Sequence, residues 1–421
     1  MQRSINPVTL ASEAIARCQR LTRFSEDANG LRRTFLSSPT RDCHAEITSW
    51  LTAVGAGVSV DDAGNLRGFY PGAHSRAPRL LIGSHLDTVP NAGAYDGILG
   101  VVLGVALLES LEGRKLPFGI EVVGFSEEEG VRFGVPFIGS RALVGRLDAE
   151  LLKVRDLKGI SVWTAIENFG LNPTEIPNAA IKNDVLAYLE FHIEQGPVLE
   201  TLGQPLGVVE AIVGQTRLEI RFIGQANHAG ATPMNLRHDA LAAAAEWIVE
   251  VERVGQKGAG LVATVGQIEA IPGASNVIAS EARVTLDIRH KSDDVRCRAT
   301  DLLIGRAEEI GERRGLLLRK NRLMSQPAVA MDPFLTDQIE RAIRSTNSLP
   351  HRMASGAGHD AMILAEKVPA AMVFLRSPGG ISHDPAESVN PQDVACAVEC
   401  GMHLLKHLAG SPEFLTRICR A

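Results

Sequence analysis

The amino-acid sequence predicts an α/β protein in which a mixed, largely parallel sheet is flanked by helices and interrupted by a smaller inserted α+β domain. Two observations lead to this fold class. Strand-like apolar runs alternate with helical segments in the first half of the chain, as in right-handed parallel β-α-β crossovers. From about residue 212 the strands instead alternate polar and apolar residues, which is typical of strands with one face in water.

The first part of the chain supplies the helices and strands of the main domain. Apolar side chains recur at helical spacing in the helices, and short continuous apolar runs mark the strands. Turn residues at 61–65 separate the second helix from the first of these strands. The predicted elements, in chain order, are helices over 8–22 and 44–54, a strand over 79–84, a helix over 96–112, and strands over 119–125 and 186–191.

The middle of the chain predicts a ferredoxin-like β-α-β-β-α-β unit. Its predicted strands are 216–223, 261–268 and 281–289, and its predicted helices are 239–254 and 293–314. The α/β pattern then returns with a strand over 371–375 and a helix over 391–409. We therefore expect a main domain formed by 1–211 and 329–421, with an inserted domain over 212–328.

Composition limits the function classes. The 421 residues carry a formal net charge of -6, which argues against a general binder of nucleic acid or of anionic membranes. The six cysteines form no CxxC pair, so we expect reduced thiols rather than a disulfide framework. The longest apolar run, 98–108, is too short to cross a bilayer, and the N-terminus lacks a signal-peptide core. A cytoplasmic protein is expected.

Three consecutive carboxylates, Glu127, Glu128 and Glu129, follow the apolar run 119–125. Adjacent carboxylates repel one another, and a bound cation is the simplest source of the missing positive charge. Two other predicted strands end in His85 and His192. Open α/β sheets bind ligands at the carboxyl ends of their strands, so these side chains predict a metal site along one rim.

The candidate ligands combine imidazoles with carboxylates, which suit Zn²⁺, Mn²⁺, Co²⁺ or Ni²⁺ better than Ca²⁺. They are His85, Asp96, Glu129, His192 and His383. Five ligands exceed the need of one catalytic zinc and fit two ions about 3.5–4 Å apart that share a carboxylate. Asp96 is the predicted bridge, because it opens a helix whose N-terminus favours an anion.

Two further acids have predicted roles beside the ligands. Asp87 follows His85 by two residues, and its carboxylate is expected to accept the second ring N–H of that histidine. Glu128 precedes a ligand and points elsewhere in an extended chain, so it is the predicted general base. Each of these residues, taken alone, is more often a turn or surface residue, and the prediction depends on their joint occurrence at strand ends.

Several motifs together resemble the M20 metallopeptidase superfamily. They are Ser-His-Leu-Asp-Thr-Val at 84–89, Tyr-Asp-Gly at 95–97 and Glu-Glu-Gly-Val-Arg-Phe at 128–133. Other segments resemble its hydantoinase/carbamoylase branch, which contains N-carbamoyl-L-amino acid hydrolases, β-ureidopropionases and allantoate amidohydrolases. These segments are 191–197, 226–234, 273–278, 287–289, 355–361 and 380–383.

The resemblance implies a role for each matching residue. Glu128 is expected to be the general base, and the five candidate ligands are expected to hold two metal ions, with Asp96 shared. The inserted domain would be a lid and dimerisation domain whose His228 stabilises the oxyanion, delivered from the partner subunit of a homodimer. The substrate carboxylate would be held by Asn276 and Arg289, and the pocket would be lined by Gln195 and His359.

The expected reaction is hydrolysis of the ureido group of an N-carbamoyl-L-amino acid to the L-amino acid, ammonia and carbon dioxide. Allantoate amidohydrolase or β-ureidopropionase activity is the nearest alternative, because the motifs do not separate the substrates. An M20 dipeptidase or deacylase is more distant, since such enzymes often have a carboxylate where His192 stands. A non-catalytic metal-binding scaffold is disfavoured by the intact Glu128. From the residues alone, Arg289 also fits a salt bridge on an edge strand and His228 also fits a solvent-exposed loop.

Overall fold

The computed structural model describes residues 6–416; Cys419 and the first five residues, part of the N-terminal segment that is predicted to lack a signal-peptide core, lie outside this range. The chain divides into two compact units, one formed by 6–210 and 331–416 and the other by 211–330. The first unit contains a mixed sheet with helices packed on it, and the second contains an antiparallel sheet with two helices. The predicted fold class is confirmed.

The first unit contains most of the secondary structure. Its helices are α1 (Pro7–Leu21), α2 (Ser38–Ala53), α3 (Ile98–Ser110), α4 (Ile138–Leu143), α5 (Ala149–Lys153), α6 (Val162–Asn168), α7 (Val198–Leu202), α10 (Pro333–Ser345), α11 (Asp360–Leu364), α12 (Pro391–Ala409) and α13 (Pro412–Leu415). Its strands are β1 (Gly57–Val60), β2 (Leu66–Tyr70), β3 (Arg79–His85), β4 (Gly119–Phe125), β5 (Val185–Ile193), β6 (Leu206–Ile212), β12 (His351–Ser355) and β13 (Ala370–Leu375). Short 3₁₀ helices span Pro173–Ala179 and Pro378–Gly380.

The sheet of this unit runs in the order β1-β2-β4-β3-β5-β13-β6, with β12 beside β6. The pair β3–β4 is parallel, as predicted from the strand-helix-strand crossover, and the pairs β3–β5 and β5–β13 are also parallel. The antiparallel hairpin of β1 and β2, joined by the predicted turn, adds to the edge at β4. Because β3, β4 and β5 are parallel neighbours, their carboxyl ends lie on one rim.

Helix α3 is apolar on every side because it lies inside the core of the first unit. Of its residues only Glu109 is not fully buried, because α3 packs on β3, β4 and β5 and is covered by α1 and α12. Within β3, Leu80 and Ile82 enter this core, while Leu81 points to the other face of the sheet. The helix is shorter than predicted, beginning at Ile98 instead of Asp96, and this leaves Asp96 free of helical geometry.

The elements of the second unit are β7 (Gly214–Ile223), a 3₁₀ helix (Met234–Leu236), α8 (Ala240–Lys257), β8 (Val262–Ile271), β9 (Glu281–His290), α9 (Asp293–Arg313), β10 (Leu317–Gln326) and the short β11 (Val329–Ala330). Its sheet has the strand order β10-β7-β9-β8, in which every neighbouring pair is antiparallel. The strands alternate polar and apolar residues, and their apolar face packs on α8 and α9, as the period of two predicts. Within the described residues, 6–416, the structure contains no helix that is long and apolar enough to cross a bilayer.

Candidate active site

The carboxyl ends of β3, β4 and β5 bring together side chains that are far apart in sequence. In the parallel register His85 lies opposite Phe125, so the acidic segment begins two residues beyond that position, at Glu127. His192 is the penultimate residue of β5. Both histidines are 2 % exposed, so their rings meet in a buried environment rather than on the surface.

The ring nitrogens of His85 and His192 are oriented by backbone carbonyls. Nδ1 of His85 lies 3.0 Å from the carbonyl oxygen of Asp87, and Nδ1 of His192 lies 2.8 Å from that of Ile193. A carbonyl only accepts, so each Nδ1 carries the hydrogen and each Nε2 of the neutral ring presents a lone pair. The two Nε2 atoms are 3.4 Å apart.

Asp96 stands between two groups of donor atoms. Its Oδ1 lies 3.2 Å from Nε2 of His192 and 3.7 Å from Nε2 of His85. Its Oδ2 lies 3.0 Å from Nε2 of His383, which is also 3.3 Å from Oε1 of Glu129. The two carboxylate oxygens therefore face different partners, as a bridging ligand requires.

These contacts form two clusters that fit divalent cations. One consists of His85, Asp96 and His192, the other of Asp96, Glu129 and His383, and the ligand atoms within each lie within 4.8 Å of one another. In the first cluster, two imidazole lone pairs and a carboxylate oxygen converge in a buried space, an arrangement that only positive charge stabilises. The nitrogen and oxygen donors suit zinc and neighbouring transition metals.

The pKa shifts of three candidate ligands follow from their contacts with one another. Burial lowers the pKa of His85, but its contacts with Asp87 and Asp96 outweigh burial and raise the pKa well above its usual value. Hydrogen bonds from the histidines likewise overcome burial to hold the pKa of Asp96 well below its usual value. The contacts with Asp96 and Glu129 raise the pKa of His383 to about 10.

Glu128 lies beside the ligands and is buried. Ligand atoms of Glu128, Glu129 and His85 lie within 4.8 Å of one another. Burial raises the pKa of Glu128 well above its usual value, and the carboxylates of Glu129 and Asp360 add to the rise while His85 opposes it. A carboxylate with a raised pKa close to the reacting atoms can accept and return a proton near neutral pH.

Asp87 has a different main partner from the predicted one. Its carboxylate is 3.5 Å from Nδ1 of His85, whereas its own carbonyl oxygen is nearer at 3.0 Å. The carboxylate instead accepts the backbone N–H groups of Glu128 at 2.9 Å and Glu129 at 3.1 Å. Asp87 thus orients the acidic segment directly and the ring of His85 mainly through its backbone.

Gln195 lies at the candidate metal site, and His359 lies behind it. Nε2 of Gln195 donates to both carboxylate oxygens of Asp96, at 3.2 and 3.1 Å. His359 is 1 % exposed, its Nε2 lies 2.8 Å from Oγ of Ser355, and its ring packs edge-on against His192 with centroids 4.5 Å apart. His359 thus supports the ring of His192. That it also lines the substrate pocket stays a prediction.

In the second unit, backbone pairing joins the segments of His228 and Asn276. His228 forms a β-bridge with Val277, and the N–H of Ala229 donates to the carbonyl oxygen of Asn276 at 2.9 Å. Nδ1 of His228 accepts the N–H groups of Gly230 and Ala231. The hydrogen of the neutral ring is therefore on Nε2, which makes this exposed histidine a hydrogen-bond donor.

Arg289 lies on β9 and pairs with an acid of the same strand. Its Nε and Nη2 donate to the two carboxylate oxygens of Asp287, at 2.9 and 3.0 Å. The salt bridge considered from the sequence is therefore present, although β9 is an inner strand and not an edge strand. Asp287 also accepts from Arg217 and Gln215, so it shares its charge among several donors.

Three buried acids near the site have no role in the sequence prediction. Glu190 accepts from Oγ of Ser84 at 3.0 Å and from the N–H of Ala361 at 2.9 Å, and so connects β3, β5 and α11. Asp360 is fully buried, and burial and Glu190 raise its pKa well above the usual value. Glu387 is buried and contacts the backbone of Asp96. The placement of Glu190 two residues before His192, on the same face of β5, is the one sequence signal that could have indicated it.

Comparison with known proteins places the chain in a family. The family model for peptidase family M20/M25/M40 matches residues 81–407. The chain is 39% identical over 398 residues to an N-carbamoyl-L-amino acid amidohydrolase of Geobacillus stearothermophilus, covering 93% of this chain and 97% of the relative. It is 38% identical to an allantoate deiminase of Arabidopsis thaliana, covering 96% and 83%.

The solved structures give the same result. A hydantoinase/carbamoylase family amidase from Burkholderia ambifaria superimposes with a TM-score of 0.89 at 32% identity, covering 95% of this chain and 98% of that one. The resemblance drawn from the motifs is confirmed. The chain belongs to peptidase family M20/M25/M40 and, within it, to the hydantoinase/carbamoylase amidases, which are hydrolases of amide C–N bonds.

Proposed function

We propose that this enzyme hydrolyses the ureido group of N-carbamoyl-L-amino acids, giving the L-amino acid, ammonia and carbon dioxide. The observation that carries the proposal is the Asp96 carboxylate, whose two oxygens face separate histidine-containing clusters beside the buried Glu128. The ions would be held by His85, Asp96 and His192 on one side and by Asp96, Glu129 and His383 on the other. Bound divalent ions would supply Lewis-acid polarisation and stabilise negative charge.

The chain's own residues would handle the protons. A ureido carbonyl is a poor electrophile, so the attacking water must lose a proton as its oxygen bonds to the carbon. Glu128 would accept that proton and return it to the amino-acid nitrogen as the C–N bond breaks, after which the carbamate decomposes to ammonia and carbon dioxide. Its raised pKa makes the returned proton available near neutral pH.

Residues of the second unit would bind and stabilise the substrate. His228 presents an N–H donor at Nε2, which suits an oxyanion that forms only during the reaction. The side chain of Asn276, whose segment pairs with that of His228, would hold the substrate carboxylate together with Arg289. Arg289 would do so with a guanidinium that already shares two hydrogen bonds with Asp287. Gln195 and His359 would border the substrate from the first unit.

Allantoate is the second candidate substrate, because relatives named allantoate deiminase are nearly as similar as those named carbamoylase. Both substrates carry a ureido group and a carboxylate, so the same residues would serve either. β-Ureidopropionate also has a ureido group and a carboxylate and is a further candidate of the same class. Peptides have no ureido group and are the least favoured substrates.

A substrate panel on the metal-reconstituted enzyme tests the proposal. The panel contains N-carbamoyl derivatives of several L-amino acids, a D-enantiomer, allantoate, β-ureidopropionate, dipeptides and N-acetyl amino acids, and ammonia and amino-acid release are measured for each. We expect the highest kcat/KM on an N-carbamoyl-L-amino acid. A higher value on allantoate would replace the proposed substrate, and turnover of peptides alone would reject the ureido class.

We also propose that the enzyme is a homodimer formed through its inserted unit and that it works in the cytoplasm. The inserted unit over 212–328 would act as lid and dimerisation domain, and β8 ends its sheet with Val262 and Ile268 exposed at 57% and 47%. An exposed strand with apolar side chains suits pairing with a second copy. We place the reaction in the cytoplasm, with a small-molecule partner and no nucleic-acid or membrane partner.

A further inference from the structure

The carboxylate of Glu387 joins two chain segments that each supply a candidate ligand. Its Oε1 accepts the backbone N–H of Tyr95 at 2.9 Å and that of Asp96 at 3.1 Å. Its Oε2 accepts the hydroxyl of Ser382 at 3.0 Å. The side chain is 6 % exposed, so these bonds form in a place where few waters compete for them.

Both segments contain backbone that needs support. His383 directly follows Ser382 and has a φ of 57°, in the left-handed region that costs a non-glycine residue about 1 kcal/mol or more. Asp96 precedes the first turn of α3 and lies before a glycine at φ 68°. A residue that binds both segments fixes the distance between the Asp96 and His383 side chains, which is 3.0 Å from Oδ2 to Nε2.

Ser382 gives the same arrangement a second consequence. Its hydroxyl lies 3.0 Å from Oε2 of Glu387 and 3.4 Å from Oδ2 of Asp96. A hydroxyl has a single hydrogen, and the shorter contact directs it to Glu387. Beside the hydrogen bond from Gln195, Asp96 Oδ2 therefore keeps a lone pair for a cation shared with His383 and Glu129.

We propose that Glu387 is a positioning residue that holds Asp96 and His383 at the spacing required to bind the second of two metal ions. The inference rests on the proposed metal pair and concerns the cluster of Asp96, Glu129 and His383. Glu387 itself would touch neither metal nor substrate. It acts by accepting hydrogen bonds, so an amide oxygen of the same reach should largely replace it.

Gly93 provides an independent way to disturb the same contact. A Cβ at position 93 would lie 2.3 Å from Cβ of Glu387 and 2.5 Å from its Cδ and Oε1. Atoms this close must move apart, so Gly93→Ala displaces the carboxylate while leaving Glu387 chemically intact. This position is occupied by glycine because the glutamate fills the space that a side chain would need.

The test compares metal binding in Glu387→Gln, Glu387→Asp, Glu387→Ala and Gly93→Ala with the wild-type enzyme. Each full-length protein is loaded with Zn²⁺ and dialysed, ions per chain are counted by elemental analysis, and affinity is measured by competition with a chromophoric chelator. We expect wild type and Glu387→Gln to hold two ions. The Ala, Asp and Gly93 variants should bind the second ion roughly 10–100-fold more weakly and retain the first.

Glu26→Ala is the matched control, since the carboxylate of Glu26 also accepts a backbone N–H and a hydroxyl, both from Thr34. It should retain both ions. Two tightly held ions in both Glu387→Asp and Gly93→Ala would overturn the inference and leave the proposed function intact. Loss of both ions together in these variants, or equal weakening in Glu387→Gln and Glu387→Asp, would also overturn it. A wild-type enzyme that binds no divalent ion would instead overturn the proposed function itself.

Discussion

Asp87 holds the backbone of Glu128 through a hydrogen bond of 2.9 Å from the N–H of Glu128 to Oδ1. Its other oxygen accepts the N–H of Glu129 at 3.1 Å. One carboxylate at the end of β3 therefore fixes the segment after β4 that carries both the proposed base and a proposed ligand. Asp87 is only 2 % exposed, so water does not compete for these hydrogen bonds and the carboxylate holds both backbone N–H groups in place.

The first prediction concerns Asp87→Asn. Asparagine keeps one acceptor oxygen but turns an NH₂ group toward one of the two backbone N–H groups, so one hydrogen bond becomes a repulsion. We expect kcat/KM to fall about 10–100-fold, in line with the loss of other groups that orient metal ligands. Steady-state kinetics on the preferred ureido substrate measure the effect. Asp332→Asn is the control, because asparagine can still cap the helix by accepting the N–H of Leu335, and its kcat/KM should equal that of the wild type. An Asp87→Asn enzyme with unchanged kcat/KM would refute the orienting role of Asp87.

The second prediction separates the base from the ligands. Glu128→Gln removes the proton acceptor but no proposed ligand, so turnover should fall about 10²–10⁴-fold while two ions remain bound. Glu129→Gln removes a ligand and should lower both turnover and metal content. Elemental analysis beside kinetics distinguishes the two. Unchanged turnover in Glu128→Gln would exclude it as the base, and loss of metal in that variant would make it a ligand.

The sequence predicted those features of the site that depend on residue type at a strand end. His85 and His192 could be found because each ends a buried apolar strand, and parallel strands bring their carboxyl ends together. Asp96 could be found because it precedes a glycine and a helix. The sheet order could not be derived, since the hairpin of Gly57–Val60 and Leu66–Tyr70 contains charged and glycine residues that hide its period.

The supporting acids could not be predicted for a different reason. Glu387 binds backbone N–H groups, which every residue except proline possesses, so its partners leave no pattern in the sequence. Glu190 is hidden within an apolar strand and only becomes interpretable when Ser84 and Ala361 are seen beside it. The main partner of Asp87 was missed likewise, because the backbone amides lie 41 and 42 residues away.

The third prediction concerns Gly97, where φ is 68° and a Cβ would lie 2.4 Å from Nε2 of His85. Gly97→Ala should therefore displace the His85 ring as well as strain the backbone, because φ 68° with ψ -55° is the γ-turn conformation with positive φ, which is rare and strained. Gly113→Ala provides the control, since φ is 82° there and a Cβ would meet nothing within 4 Å. We expect both variants to lower the melting temperature but only Gly97→Ala to lose metal affinity and turnover. Equal behaviour of the two would contradict the proposed contact.

The fourth prediction concerns metal removal. Dialysis against a chelator should abolish turnover, and Zn²⁺, Mn²⁺, Co²⁺ or Ni²⁺ should restore it, whereas Ca²⁺ should not, because the clusters supply imidazole nitrogens. Metal that binds only the folded chain stabilises it, by about 2.7 kcal/mol at a free concentration of 100 times Kd. Melting temperatures of the apo and reconstituted protein measure this. Full activity of verified metal-free protein would refute the proposed metal dependence.

The fifth prediction concerns acid stability and His44, a residue of α2 outside the candidate site. The side chain is 5 % exposed, its Nε2 has no hydrogen-bond partner among residues 6–416, and its ring packs edge-on against Phe169. Burial, helped by the nearby Arg33 and Arg41, lowers the pKa of His44 to about 4. The unfolded chain has a His pKa near 6.5, so between pH 6.5 and 4 the unfolded state binds more protons.

Stability from the neutral His44 is therefore complete above about pH 6.5 and is lost as the pH falls toward 4, by about 3 kcal/mol in total. His44→Leu has no ring to protonate, so its stability does not include this loss. The unfolding free energy of the variant minus that of the wild type should therefore increase by that amount as the pH falls from 7 to 4. Urea unfolding at intervals across this range measures it, and comparison of the two proteins cancels the titration of other groups. A pH-independent difference for His44→Leu would mean that the ring has the same pKa in the folded and the unfolded protein, and a difference that shifts toward the wild type as the pH falls would mean that the folded protein holds the ring protonated; either result would contradict the prediction.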